Sequence, residues 1–295
     1  MTDINTRTEL ERAVLSALAY YEALSKMPLS TVEIQRYLMF TDGTPRRASL
    51  SAIAKTIRSL LNMEEIKSQY GLYCLASSKT EPGNRIFRSK YTISRWRKLL
   101  RAGRFLMYTP FVRSLDLLGS VAQGNAGENS DIDIAIGVKS GRIWIARLAV
   151  TLMSHILGVR RYGSKVKDRL CFNQYLQEGE KFGPPRQATV QIEAQALRVY
   201  GKDTKNTHQL IPNPLAVGVV RLFESILEVT LLSRLLERLF YFLQIKKIKR
   251  NSVRYPSELP TPSIFSQNLI FYYPKVYETE ARYKKLIKKL ALHRA

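Results

Sequence analysis

The stretch Leu117-Leu118-Gly119-Ser120-Val121-Ala122-Gln123-Gly124-Asn125-Ala126-Gly127-Glu128-Asn129-Ser130-Asp131-Ile132-Asp133-Ile134-Ala135-Ile136 constrains the fold more than any other part of the chain. Its second half alternates acidic or small residues with isoleucine, the period of two by which a strand separates a polar face from an apolar one. Ile132, Ile134 and Ile136 share the buried face; Asp131 and Asp133 share the other, roughly 6–7 Å apart along the backbone. Neighbouring carboxylates repel and raise each other's pKa, so the pair makes sense on a sheet when a cation sits between them. Magnesium, or manganese, takes hard oxygen ligands, commonly one or two carboxylates together with substrate phosphates. Upstream, the strand run Val112 to Leu118 ends in Gly119-Ser120 and opens a turn containing Gly124 and closed by Ser130. Small residues there let backbone N–H groups and a hydroxyl approach phosphate oxygens closely.

Other phosphate and metal motifs fail on the same residues. A Walker loop needs Lys-Ser or Lys-Thr where Asn125-Ala126 follow Gly124, no GxGxxG is present, and the alternating isoleucines exclude a calcium-binding loop. A strand ending in Gly-Ser, ten intervening residues, then Asp-Ile-Asp-Ile on the next strand resembles the DNA polymerase beta-like nucleotidyltransferase superfamily. The resemblance covers about residues 112 to 200. It implies that Gly119 and Ser120 hold a triphosphate, with Gly124 and Ser130 beside them. It also implies that Asp131 and Asp133 bind the magnesium ions that align an acceptor hydroxyl with the α-phosphate. Members of the family usually carry a third acid on a later strand. Here that strand is Arg169 to Leu176, and neither of its faces offers one. Asn173 is the nearest mimic, able to donate a carbonyl oxygen to a metal but not to accept a proton; Asp168, Glu178 and Glu193 lie around it. The basic cluster Arg160, Arg161, Lys165, Lys167 and Arg169 is expected beside the cleft.

The remainder of the chain reads as three further segments, giving an α+β organisation of four parts. Residues 1–80 contain two capping boxes, Thr8-x-x-Glu11 and Ser30-x-x-Glu33, each opening an apolar-periodic run. A third helix follows the turn Asp42 to Pro45, and a short strand pair is centred on Gly71. Three helices and a hairpin resemble a winged helix-turn-helix domain, which implies nucleic-acid contact by Lys55 and Arg58 on the polar face of the third helix. Residues 81–111 form a connector helix carrying Arg95, Arg97, Lys98 and Arg101 without an acid between Glu81 and Pro110, a natural partner for polyanions. Trp96 in that helix reads as core. Residues 112–205 are the mixed-sheet nucleotidyltransferase-like domain, and 206–295 a helical C-terminal domain.

Forty-seven Lys and Arg against 24 Asp and Glu give a charge of +23, which favours nucleic acid or nucleotides as partners. Two cysteines far apart exclude a disulfide framework and a CxxC zinc site and fit a reduced, cytoplasmic compartment. The apolar run from Leu215 to Leu243 is broken by charges and is not a membrane span. Ser120 has no neighbouring histidine, against a hydrolase triad. The expected activity is magnesium-dependent transfer of a nucleoside monophosphate from a triphosphate to an acceptor hydroxyl, attenuated by the missing third carboxylate. The alternative is a nucleic-acid-binding regulator with a degenerate nucleotide site. Oligomeric state is open at this level.

Overall fold

The computed structural model describes residues 7–40, 48–178, 196–201, 210–252, 263–266, 269–272 and 275–290. The turn Asp42 to Pro45 and Glu193 lie outside them. The fold is α+β, divided into two compact units: residues 1–89 with 275–295, and residues 90–274.

In the first unit, α1 (Glu9–Ser25) starts with a reciprocal cap. The Glu11 N–H donates to Thr8 Oγ1 at 3.2 Å and the Thr8 N–H to Glu11 Oε2 at 2.9 Å. The Ser30/Glu33 box opens α2 (Thr31–Arg36) in the same way, immediately after β1 (Leu29–Ser30). Ser49 caps α3 (Leu50–Asn62), which buries Ile53, Ile57 and Leu60 and leaves Lys55 and Arg58 exposed. β2 (Ile66–Gln69) and β3 (Leu72–Leu75) form a hairpin whose two turn residues, Tyr70 and Gly71, both have positive φ, the type I′ geometry that matches strand twist. The sheet order is β1-β3-β2. Arg85, in the first turn of α4 (Asn84–Leu106), grips Glu33 with two 2.6 Å hydrogen bonds. The last helix of the chain, Lys275–Lys289, returns to pack on α1, with the Tyr20 and Tyr283 rings edge to face.

The second unit is built on a six-stranded mixed sheet. In chain order its elements are β4 (Val112–Leu118), α5 (Gly119–Ala122), β5 (Ile132–Val138), α6 (Ile143–Ile156), β6 (Leu170–Gln177) and β7 (Leu197–Tyr200). They are followed by α7 (Pro214–Val229), α8 (Leu232–Ser252), β8 (Ser263–Ser266) and β9 (Leu269–Tyr272); the final helix Lys275–Lys289 is α9. The strand order is β7-β4-β5-β6-β9-β8. β5 and β6 are the parallel pair, and the crossover between them carries α6, as a parallel connection requires. Ile132, Ile134, Ile136 and Val138 are fully buried in one core with Ile143, Trp144, Ala146 and Val150 of α6.

The organisation differs from the four sequential segments in two respects. The stretch 206–295 is not wholly helical: two short strands join the central sheet, and α9 belongs with the first unit. The apolar run from Leu215 to Leu243 is carried by two helices, broken at Thr230-Leu231, where Leu231 takes φ 56°. No described helix is long and apolar enough to cross a membrane.

Candidate active site

The candidate site is the edge where β4 ends and β5 begins. The antiparallel register sets Leu118 opposite Asp133, so the chain turns into Gly119 beside that carboxylate. Gly119 has φ +64°, and a Cβ there would lie 2.3 Å from Asp133 Oδ2. Only glycine satisfies both conditions. Ser120 follows, half-buried, its carbonyl accepting the Asn125 N–H at 2.8 Å. Gly124 also has positive φ, +67°. Ser130 is committed within the loop: its hydroxyl accepts the Gly127 N–H at 2.9 Å.

On the other side of β5, Cys171 of β6 pairs with Asp133, and in a parallel pair such partners share a face. One ligand atom from each of Asp131, Asp133 and Cys171 lies within 4.8 Å of the other two. Asn173 sits where the register slips, since Ile134 faces Phe172 and Ala135 faces Gln174; its side chain lies outside the described part of the structure. The position beside the two aspartates is thus taken by a thiol. Burial, with the charges of Asp133 and Asp131 adding to it, pushes the Cys171 thiol up to about 12 despite Arg161, so it is protonated at neutral pH.

Arg161 closes the group. The backbone N–H of Arg161 donates to Leu170 O at 2.9 Å, which brings its guanidinium to an ion pair with Asp131 and to 3.6 Å from Cys171 Sγ. Of the basic cluster expected near the cleft, Arg161 is the member that reaches the carboxylates; Lys167 pairs with Glu128 at 3.0 Å instead.

The connector residues separate. Arg97 and Arg101 are exposed. Lys98 is bound to Asp168 at 2.6 Å. Arg95, expected on a nucleic-acid face, is fully buried. It donates to Ser130 O at 2.9 Å, to Glu128 O and to Tyr91 O at 3.3 Å, and pairs with Asp168 at 3.1 Å. Its place follows from spacing, because Arg95, Leu99, Ala102 and Leu106 form one buried helical stripe. Arg95 therefore anchors the loop that delivers Asp131. Trp96 packs against the core, as expected. Lys55 and Arg58 belong to the first unit and are not part of this group.

Two hard carboxylates converging at one point fit a divalent cation such as magnesium or manganese; the neutral thiol adds no hard donor. Comparison with curated proteins and with solved structures returns no match. Residues 97–195, which span the Gly-Ser turn, the Asp-x-Asp strand and Cys171, match the family model of the nucleotidyltransferase domain.

Proposed function

We propose that this chain moves a nucleoside monophosphate from a nucleoside triphosphate to an acceptor hydroxyl. The acceptor oxygen bonds to the α-phosphorus, the bond from that phosphorus to the bridging oxygen breaks, and pyrophosphate leaves. The observation that carries the reading is the convergence of Asp131 and Asp133 beside Gly119, inside the matched segment. Asp131 and Asp133 would hold the divalent ion, which when bound offsets phosphate charge and orients the oxygens. Gly119 lets the chain turn directly against Asp133, and the Ser120 hydroxyl and the backbone amides of the turn orient the triphosphate. Arg161 contributes positive charge at the same mouth. Cys171 stands where a third carboxylate would accept the hydroxyl proton, so transfer is slow.

A second reading draws support from the same residues. With a thiol in place of a third carboxylate and Arg161 on Asp131, a nucleic-acid-binding regulator that only holds a nucleotide is the alternative. The α1-β1-α2-α3-β2-β3 order and the exposed Lys55 and Arg58 support a winged-helix reading of the first unit, and Arg97 and Arg101 add exposed charge on α4. Incubating the full chain with labelled ATP, CTP, GTP and UTP, magnesium, and cellular RNA and protein separates the two. A covalent labelled product that disappears in Asp131→Ala is expected. Salt-sensitive nucleic-acid binding with no product would establish the regulator.

A further inference from the structure

The helix α7 is apolar on both sides, and α8 carries an outer apolar row beside the exposed Arg234 and Arg238. Their inner faces pack Leu227, Leu236, Phe240, Tyr241 and Ile245 against the core of the second unit. Polar contacts on that side are made by acids: Glu224 accepts from the Phe111 N–H and Arg113, and Glu237 accepts from the Trp144 and Ile145 N–H groups at the start of α6. The outer rows are apolar as well. On α7, Leu215, Val219, Leu222, Ile226 and Val229 are 54–83% exposed, at successive steps of four, three, four and three. On α8, Leu232, Leu235, Leu239 and Phe242 are 42–66% exposed, at steps of three, four and three. A helix apolar all round, as α7 is, belongs inside something, and the described residues bury only one side of it and of the α8 row.

We propose that a second copy of this chain covers this face, making the protein a dimer through α7 and α8. Three observations choose that occupant. The spacing averages three and a half residues on α7 and about three and a third on α8, close to the repeat with which one helix seats side chains into another; a helical partner suits it, and the chain itself presents two such helices. Nine large apolar side chains, each 42–83% exposed, make up the face, a larger patch than a monomer ordinarily leaves open and of the scale of the roughly 800 Å² per partner of a stable interface. Finally, no exposed position of α7 carries a charge, in a protein of +23, so a polyanion has nothing to hold there; the exposed Arg234 and Arg238 lie on α8, at the border of the face. A membrane surface is disfavoured at α7 for a related reason: interfacial helices flank the apolar face with Lys and Arg. The basic residue of α7, Arg221, is tied to Glu224 at 2.9 Å.

The test is the association state of the full chain by sedimentation velocity across a hundredfold concentration range, with Leu222→Glu/Ile226→Glu on α7 and Leu235→Glu/Leu239→Glu on α8. The wild type is expected to sediment as a dimer, and each double variant to weaken association at least roughly thirtyfold, the scale of a lost central anchor. Because these side chains are exposed, the tryptophan emission of each variant should match the wild type, which establishes that its fold is kept. An independent variant, Ser225→Cys, should form an intermolecular disulfide under mild oxidation, which Ser59→Cys in the first unit should not. A wild type that is monomeric throughout overturns the proposal, whether or not it binds vesicles of neutral or anionic lipid. So does a dimer that survives both double variants.

Discussion

Replacing Arg95 by methionine keeps a long flexible side chain in the interior but withdraws every donor that joins α4 to the loop before Asp131. Removing one partner of a buried ionic network commonly costs about 3–5 kcal/mol. The lower end applies here, because Asp168 retains Lys98 at 2.6 Å and Ser130 O retains the Asp168 N–H at 3.0 Å. A loss of about 3 kcal/mol in a unit of this size lowers its melting temperature by roughly 6–12 °C. Both tryptophans, Trp96 and Trp144, lie in the second unit, so thermal unfolding followed by tryptophan emission reports on the relevant part of the full chain. Arg95→Lys retains the charge, yet a single ammonium cannot serve Glu128 O and Ser130 O together as a planar guanidinium does, and it should fall between the two. Nucleotide affinity should drop in step, since the loop that loosens is the one that carries Asp131. If Arg95→Met melts within about 2 °C of the wild type, on the order of 1 kcal/mol or less, the loop is held by other contacts and Arg95 is not its anchor.

Three further outcomes follow from the geometry. Gly119→Ala forces a Cβ into Asp133 Oδ2 at positive φ; we expect a loss of about 1–2 kcal/mol and near-complete loss of metal-dependent transfer, read from unfolding and from labelled product. Cys171→Asp sets a carboxylate next to Asp133 and should raise the transfer rate by about 10²-fold or more, the usual worth of a positioned base; an unchanged rate, together with a gain in Asn173→Asp, would make Asn173 the third position. The third outcome concerns acid stability. Burial raises the Glu33 pKa, but the Arg85 hydrogen bonds and charge and the Ser30 N–H and hydroxyl outweigh it, leaving Glu33 below its ordinary 4.5. Its contribution is therefore present in full above that value and is lost as pH falls through the lower folded value. Hydrogen exchange of α1 and α2 should show a smaller drop in stability between about pH 7 and pH 3 in Glu33→Gln than in the wild type; equal drops would mean that the pair contributes nothing.

The parts of the fold that announce themselves in the sequence are those in which one local signal dominates. The capping boxes at Thr8 and Ser30, and the two-residue alternation through Ile132, Ile134 and Ile136, each depend on side chains a few positions apart, and the helices and strands form there. Long-range register is different. Alternation alone groups Cys171 with Asn173 on one face of β6, but the slip between Phe172 and Gln174 means that Cys171 alone follows Asp133 in the pairing. A bulge of one residue leaves no local mark that separates it from a regular strand. Arg95 misled for another reason: a basic run suggests a solvated face, and the buried stripe it shares with Leu99, Ala102 and Leu106 is evident only when charge is set aside in favour of spacing. The strands β8 and β9, four residues each, are too short to stand out beside the helices that flank them, and the break at Leu231 lacks the glycine or proline that usually marks one.

The return of α9 to α1 has a consequence for synthesis. The first unit is completed by residues that leave the ribosome after the whole of the second, since residues 90–274 emerge between its two parts. At roughly 5–20 residues per second, α1 waits on the order of 12–50 s for its partner helix. During that interval Tyr20, fully packed in the finished protein, lacks the ring of Tyr283. The second unit has all its strands before α9 is made, so it can fold first on the nascent chain. A stalled product that ends before α9 would carry the complete segment matched by the nucleotidyltransferase model together with a defect in the first unit.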